Sequence, residues 1–85
     1  MTELDKEKLR KELIEVYENF DKGNYSKEMK HKAVGLDILY CGATRLLEDD
    51  LREAISYLIF AIQPQLNGAE KKEEVIKKIL KRLKE

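Results

Sequence analysis

The sequence predicts an all-α protein, an antiparallel four-helix bundle forming a single domain over residues 1–85. Two segments are apolar on nearly every side. Residues 33–43 (AVGLDILYCGA) hold one charged side chain, and residues 54–62 (AISYLIFAI) hold none. The segments outside them are charge-rich and place apolar residues three and four apart, the period of a helix with one buried face. No stretch alternates as a half-buried strand does, and no hairpin turn pair occurs. These patterns predict two central helices, the second and third, covered by two outer ones.

The first helix is expected over residues 4–20, where Leu9, Leu13, Val16, Tyr17 and Phe20 form one stripe. Asp21-Lys22-Gly23-Asn24 ends it, and Gly23 suits the left-handed position that follows a helix C-terminus. Ser26 is the expected N-cap of the second helix, with Glu28 placed well for the helix dipole. That helix is expected to continue to about Glu48. Within it, Gly35 and Gly42 share a face, and each costs roughly 1 kcal/mol relative to alanine. The close approach of a neighbouring helix is the expected compensation. Asp37, Tyr40 and Thr44 are expected to form a polar network at the helix edge.

Asp50-Leu51-Arg52-Glu53 reads as a capping box that opens the third helix, and Pro64, which lacks an N–H, ends or kinks it near Ile62. Asn67-Gly68-Ala69-Glu70 repeats the capping pattern before the fourth helix, whose stripe is Val75, Ile76, Ile79, Leu80 and Leu83. The core expected from these stripes comprises Leu13, Tyr17, Leu36, Leu39, Leu46, Ile55, Leu58, Phe60, Ile76, Ile79 and Leu80.

Lys plus Arg number 17, as do Asp plus Glu, and this balance argues against a dedicated nucleic-acid binder. The charge is unevenly spread. Residues 1–22 carry five basic and seven acidic side chains, whereas residues 69–85 carry seven and four. No segment approaches the length of a membrane span, and the charged opening residues do not resemble a secretory signal. Cys41 has no second cysteine to pair with. A cytoplasmic location is therefore the expectation.

Little in the sequence points to catalysis or to a cofactor. Glu28 and His31 have the spacing of one metal-binding half-site, but a di-iron bundle needs that motif twice with two further helix glutamates, and lysines flank His31. No metal or cofactor is expected. Cys41 sits in the most apolar stretch and is expected to be buried and inert. With a single histidine and no glycine-rich phosphate loop, no enzymatic activity is expected. The partner-binding candidates are Tyr57, Phe60 and Pro64, an aromatic pair beside a helix break, and the basic residues Lys77, Lys81, Arg82 and Lys84 of the fourth helix.

The segments Tyr17-Glu18-Asn19, Asn24-Tyr25-Ser26, Ile55-Ser56-Tyr57-Leu58-Ile59-Phe60 and Glu73-Glu74-Val75-Ile76-Lys77 resemble, in order and approximate spacing, the immunity proteins that protect lactic-acid bacteria from their own class IIa bacteriocins. That resemblance implies a cytosolic antiparallel four-helix bundle acting without catalysis on a sugar-transporter receptor that the bacteriocin engages. Residues 50–61 also resemble the second helix of a tetratricopeptide hairpin, with Gly42 at the position of its first-helix glycine. No second copy follows at the 34-residue period of that repeat.

The function expected is that of a small non-catalytic cytoplasmic protein that binds a protein partner or a second copy of itself. Bacteriocin immunity is the most specific form of that expectation. A nucleic-acid-associated regulator using the basic face of the fourth helix is the alternative, and a ligand- or metal-binding bundle is the third reading. Self-association is expected because the central segments leave more apolar surface than short outer helices cover, with Tyr57, Phe60 and Pro64 on the shared face.

Overall fold

The structure, a computed structural model, describes residues 5–63 and 71–85. The Asp5 carboxylate opens the first helix by accepting a hydrogen bond from the Lys8 amide at 3.0 Å. Helix α1 (Lys6–Asp21) then turns Leu9, Leu13, Val16, Tyr17 and Phe20 inward. At its end the Asn24 amide donates to the Asn19 carbonyl at 2.8 Å and the Gly23 amide to the Phe20 carbonyl at 3.0 Å. This is the paired closure of a Schellman turn, which requires the left-handed backbone that Gly23 supplies at φ 83°. A Cβ at this dihedral costs roughly 1–2 kcal/mol. Gly23→Ala is therefore expected to lower the melting temperature, and an unchanged melt would show that the turn re-forms without its left-handed residue.

Helix α2 (Lys27–Tyr40) starts as the sequence predicts, with the Ser26 hydroxyl accepting from the Met29 amide at 3.2 Å. Its α-helical path ends at Tyr40, short of the expected Glu48, and a 3₁₀ segment (Cys41–Leu46) continues it. Gly42 weakens the α-helix at this point. The Leu47 amide donates to the Thr44 carbonyl at 3.0 Å and the Thr44 hydroxyl to the Cys41 carbonyl at 3.4 Å. Thr44 thus bonds locally rather than to Asp37 and Tyr40. Arg52 fastens the segment to the next helix, donating to the carbonyls of Thr44 at 3.2 Å and Leu47 at 3.1 Å.

Helix α3 (Asp49–Ile62) begins two residues earlier than the expected capping box. Glu48 occupies the cap position, and Asp49 and Asp50 fall in the first turn, where negative charge favours the dipole. Asp50 accepts from the Leu51 amide at 2.9 Å and from Arg10 at 2.5 Å. Helix α4 (Lys72–Lys84) follows. Pro64 and the capping signal at residues 67–70 lie outside the described residues.

The long-range contacts set the helix directions. Arg10, near the start of α1, reaches Asp50 at the start of α3 and the Leu83 carbonyl at the end of α4, at 3.0 Å. Near the other end of α1, Phe20 stacks on Tyr25, and the Lys72 ammonium lies 5.0 Å from the centre of the Tyr25 ring. Helices α1 and α3 therefore run together and α4 runs against them. Lys32 of α2 pairs with Glu15 of α1 at 2.8 Å. The fold is the all-α four-helix bundle the sequence predicts, with no strand among the described residues. No helix among them is long and apolar enough to cross a membrane.

Eight of the expected core residues are buried: Leu13, Tyr17, Leu36, Ile55, Leu58, Ile76, Ile79 and Leu80. The other three are not. Leu39 is 73 % exposed, Leu46 60 % and Phe60 63 %. Helix α2 packs against α3 and α1 and not against α4, so it is peripheral and only the stripe Met29, Ala33 and Leu36 turns inward. Leu39 lies off that stripe. The switch to 3₁₀ geometry changes the phase of the chain, so Leu47 is buried in place of Leu46. Phe60 stands two residues from the buried Leu58, on the far side of α3. Gly35 and Gly42 meet no neighbouring helix, since a Cβ at either would have nothing within 4 Å. Cys41 is exposed rather than buried.

Candidate functional site

Two helical edges build a groove on the outside of the bundle. Tyr57 and Phe60 lie three residues apart on α3, with ring centroids 6.1 Å apart and planes inclined at 28°. Val75 and Ile79 lie four apart on α4, on the α3-facing side of its buried stripe. Between these pairs is a depression of about 280 Å³ lined by Glu53, Ser56, Tyr57, Phe60, Val75 and Ile79. Its walls are largely apolar, and Phe60 projects from the rim. At one end Arg82 of α4 donates to the Glu53 carboxylate across the groove. This ion pair holds the two helices at the spacing that forms the depression.

Basic residues flank Val75 on the α4 side of the groove. Lys71, Val75, Lys78 and Arg82 follow one another at helical spacing, which places the exposed Lys71 and Lys78 along the groove. An apolar trough beside lysines fits an amphipathic helix whose apolar face is bordered by carboxylates. An exposed phenyl ring at a groove centre is the kind of residue that anchors such a contact.

The structure brings together part of the set the sequence singled out. Tyr57 and Phe60 are in the groove, and Phe60, expected in the core as well as at a contact, is exposed. Pro64 lies outside the described residues. Lys77 and Lys81 are exposed on a different face of α4. Arg82 is held by Glu53, and Lys84 pairs with Glu18 at 2.8 Å. That contact holds the Glu18 carboxyl below its ordinary value, the Lys84 hydrogen bond being the largest cause. The basic face is thus divided between ion pairs within the bundle and side chains pointing elsewhere. The sequence reading missed the other wall of the groove. Val75 was visible only as a member of the α4 stripe, and nothing local shows that the edge of this stripe faces Tyr57.

A second depression, of about 440 Å³, lies at the α1–α2 turn and is lined by Phe20, Asp21, Lys22, Gly23, Tyr25, Lys72 and Glu73. Its lining mixes both charges around the Phe20–Tyr25 stack, whose centroids are 4.8 Å apart. Desolvation raises the Tyr25 phenol above its ordinary range, with Tyr57, Glu73 and Asp21 adding to the shift. Glu28 and His31 are both exposed, and no group of metal-ligating side chains forms among the described residues. Set against family models, curated proteins and solved structures, the chain finds no match in any of the three comparisons.

Proposed function

We propose that this chain is a small, non-catalytic cytoplasmic protein that works by binding an amphipathic, acid-bordered helix of a protein partner in the α3–α4 groove. The observation that carries the reading is Phe60, 63 % exposed beside an apolar depression that Tyr57, Val75 and Ile79 line. A large apolar ring left in water next to an empty apolar trough gains free energy when a partner covers both. Bacteriocin immunity is the most specific form of this function and rests on the resemblance of the segments quoted above. The nucleic-acid reading loses support because Arg82 and Lys84 are already engaged by Glu53 and Glu18.

The test uses a synthetic helical peptide with leucines at a spacing of three and four and glutamates on both borders. Its binding is expected to perturb the NMR signals of Tyr57, Phe60, Val75 and Ile79. A lysine-bordered version should bind more weakly. Phe60→Glu leaves the buried core untouched and is expected to abolish binding while the melting temperature stays unchanged. Equal binding of the acidic and basic peptides, or full binding by the Phe60 variant, would remove the groove as the site. For the immunity form, the chain expressed in a bacterium killed by a class IIa bacteriocin should protect it, and Phe60→Glu should not.

A further inference from the structure

The α3–α4 groove has two ends as well as two walls, and a polar contact crosses it at each end. At one, Arg82 of α4 donates to the Glu53 carboxylate of α3. At the other, the ammonium of Lys72, the first residue of α4, donates to the carbonyl of Gln63, which caps α3, at 2.7 Å. Tyr57, Phe60, Val75 and Ile79 lie between these two contacts. Glu53 and Gln63 are ten residues apart, and so are Lys72 and Arg82. At the rise of an α-helix, each wall therefore measures about 15 Å from one contact to the other.

Neither contact is a good seat for an apolar side chain. The Arg82 and Glu53 side chains are 39 % and 42 % exposed, so water still reaches both charges. A leucine laid over them removes that water and returns no hydrogen bond. At the opposite end the Lys72 ammonium is held between the Gln63 carbonyl and the face of the Tyr25 ring, and a leucine there likewise covers a charge.

We propose that the groove selects its partner by the length of the apolar stripe, taking three anchors at i, i+3 or i+4, and i+7, with a polar side chain where the stripe reaches Glu53 and Arg82. The proposal rests on the reading of the groove as a helix-binding site. Three anchors span about 10 Å of helix and fit between the two contacts. A fourth, at i+10 or i+11, lengthens the stripe to about 15–16 Å, so that one end falls on a polar contact. Glutamine suits the Glu53–Arg82 end. Its amide can donate to the Glu53 carboxylate and accept from a guanidinium N–H that the ion pair does not use.

The test is a series of acid-bordered helical peptides with two, three and four leucines at this spacing, titrated against the full chain by calorimetry. The third leucine is expected to tighten binding about tenfold, the gain from burying one such side chain. The fourth is expected to add less than about twofold, and glutamine in its place to bind about threefold more tightly than leucine. Glu53→Leu with Arg82→Met removes both charges of one contact together and leaves neither unpaired. The four-leucine peptide should bind this double variant about tenfold more tightly than the three-leucine peptide does. A fourth leucine worth as much as the third on the parent chain overturns the proposal, whether or not the double variant folds, and leaves the groove itself standing. Equal binding of the glutamine and leucine forms overturns the polar contact at Glu53 and Arg82. Failure of every peptide to bind removes the groove as a site, and this proposal with it.

Discussion

Replacing Tyr17 with alanine is expected to cost about 3–5 kcal/mol, the range found when a large buried aromatic is truncated. A chain of 85 residues has roughly 4–13 kcal/mol of stability in total, so this single change should bring the fold close to its threshold. Tyr17 is wholly buried, in the layer between α1 and α3. Its ring meets Phe20 edge-on at 6.1 Å, and its hydroxyl donates to the Ala54 carbonyl at 2.5 Å. Tyr17→Phe keeps the ring and removes only that hydrogen bond, at a cost of about 1 kcal/mol. The two variants, unfolded in urea, separate packing from polar contact. Equal losses in both would show that the hydroxyl rather than the ring carries the effect.

The same side chain sets the alkaline limit. Desolvation pushes the Tyr17 phenol far above its ordinary 10.0, and the nearby Tyr57 and Glu53 charges add to the shift. The folded state holds the proton while the unfolded chain releases it near pH 10. Stability from Tyr17 is therefore complete below that pH and falls as the pH rises further, by about 1.4 kcal/mol per unit. Tyr25 is raised in the same direction and adds to the slope. Tyr17→Phe should flatten the alkaline limb. An identical decline in the variant and the parent would place its cause elsewhere.

The features legible in the sequence are those decided within a few residues or by contrast between two faces. Ser26 caps α2 because its hydroxyl needs only the Met29 amide, and Gly23 closes α1 because a left-handed turn needs only its own missing Cβ. The stripes of α1 and α4 stand out because charge marks their other faces. Helix α2 lacks that contrast. Residues 33–43 are apolar all round, so composition does not say which side faces the core, and Leu39 fell on the wrong one. The 3₁₀ segment then shifted the phase under Leu46. The aromatic wall of the groove, Tyr57 and Phe60, could be read from one helix. The Val75 and Ile79 wall depends on how α4 is rotated against α3, a property of packing rather than of either segment. Arg10 gave no sequence signal, because its partners lie some 40 and 73 residues away.

Arg10→Ala is expected to destabilise the fold by about 1.5–3 kcal/mol, the range for hydrogen bonds to charged groups that are partly shielded from water. The guanidinium is 28 % exposed and Asp50 19 %, so their 2.5 Å contact is only partly screened. The same group also donates to the Leu83 carbonyl, an acceptor that the end of α4 leaves without a helical partner. Its 3.3 Å contact with Glu48, which is 63 % exposed, adds little. One side chain thus joins the starts of α1 and α3 to the end of α4. Burial on its own would raise the Asp50 carboxyl, but hydrogen bonds from Arg10 and the Leu51 amide outweigh it and hold the group below its ordinary 3.8. A lowered carboxyl contributes stability above the unfolded value of about 4 and loses it as the pH falls through the folded value. The parent should therefore weaken below pH 4 more steeply than Arg10→Ala, in which Asp50 has lost its partner. The double variant Arg10→Ala with Asp50→Asn should cost less than the sum of the two single changes, because each removes the same contact. Strict additivity would show that Arg10 acts mainly through the Leu83 carbonyl, as the cap of α4.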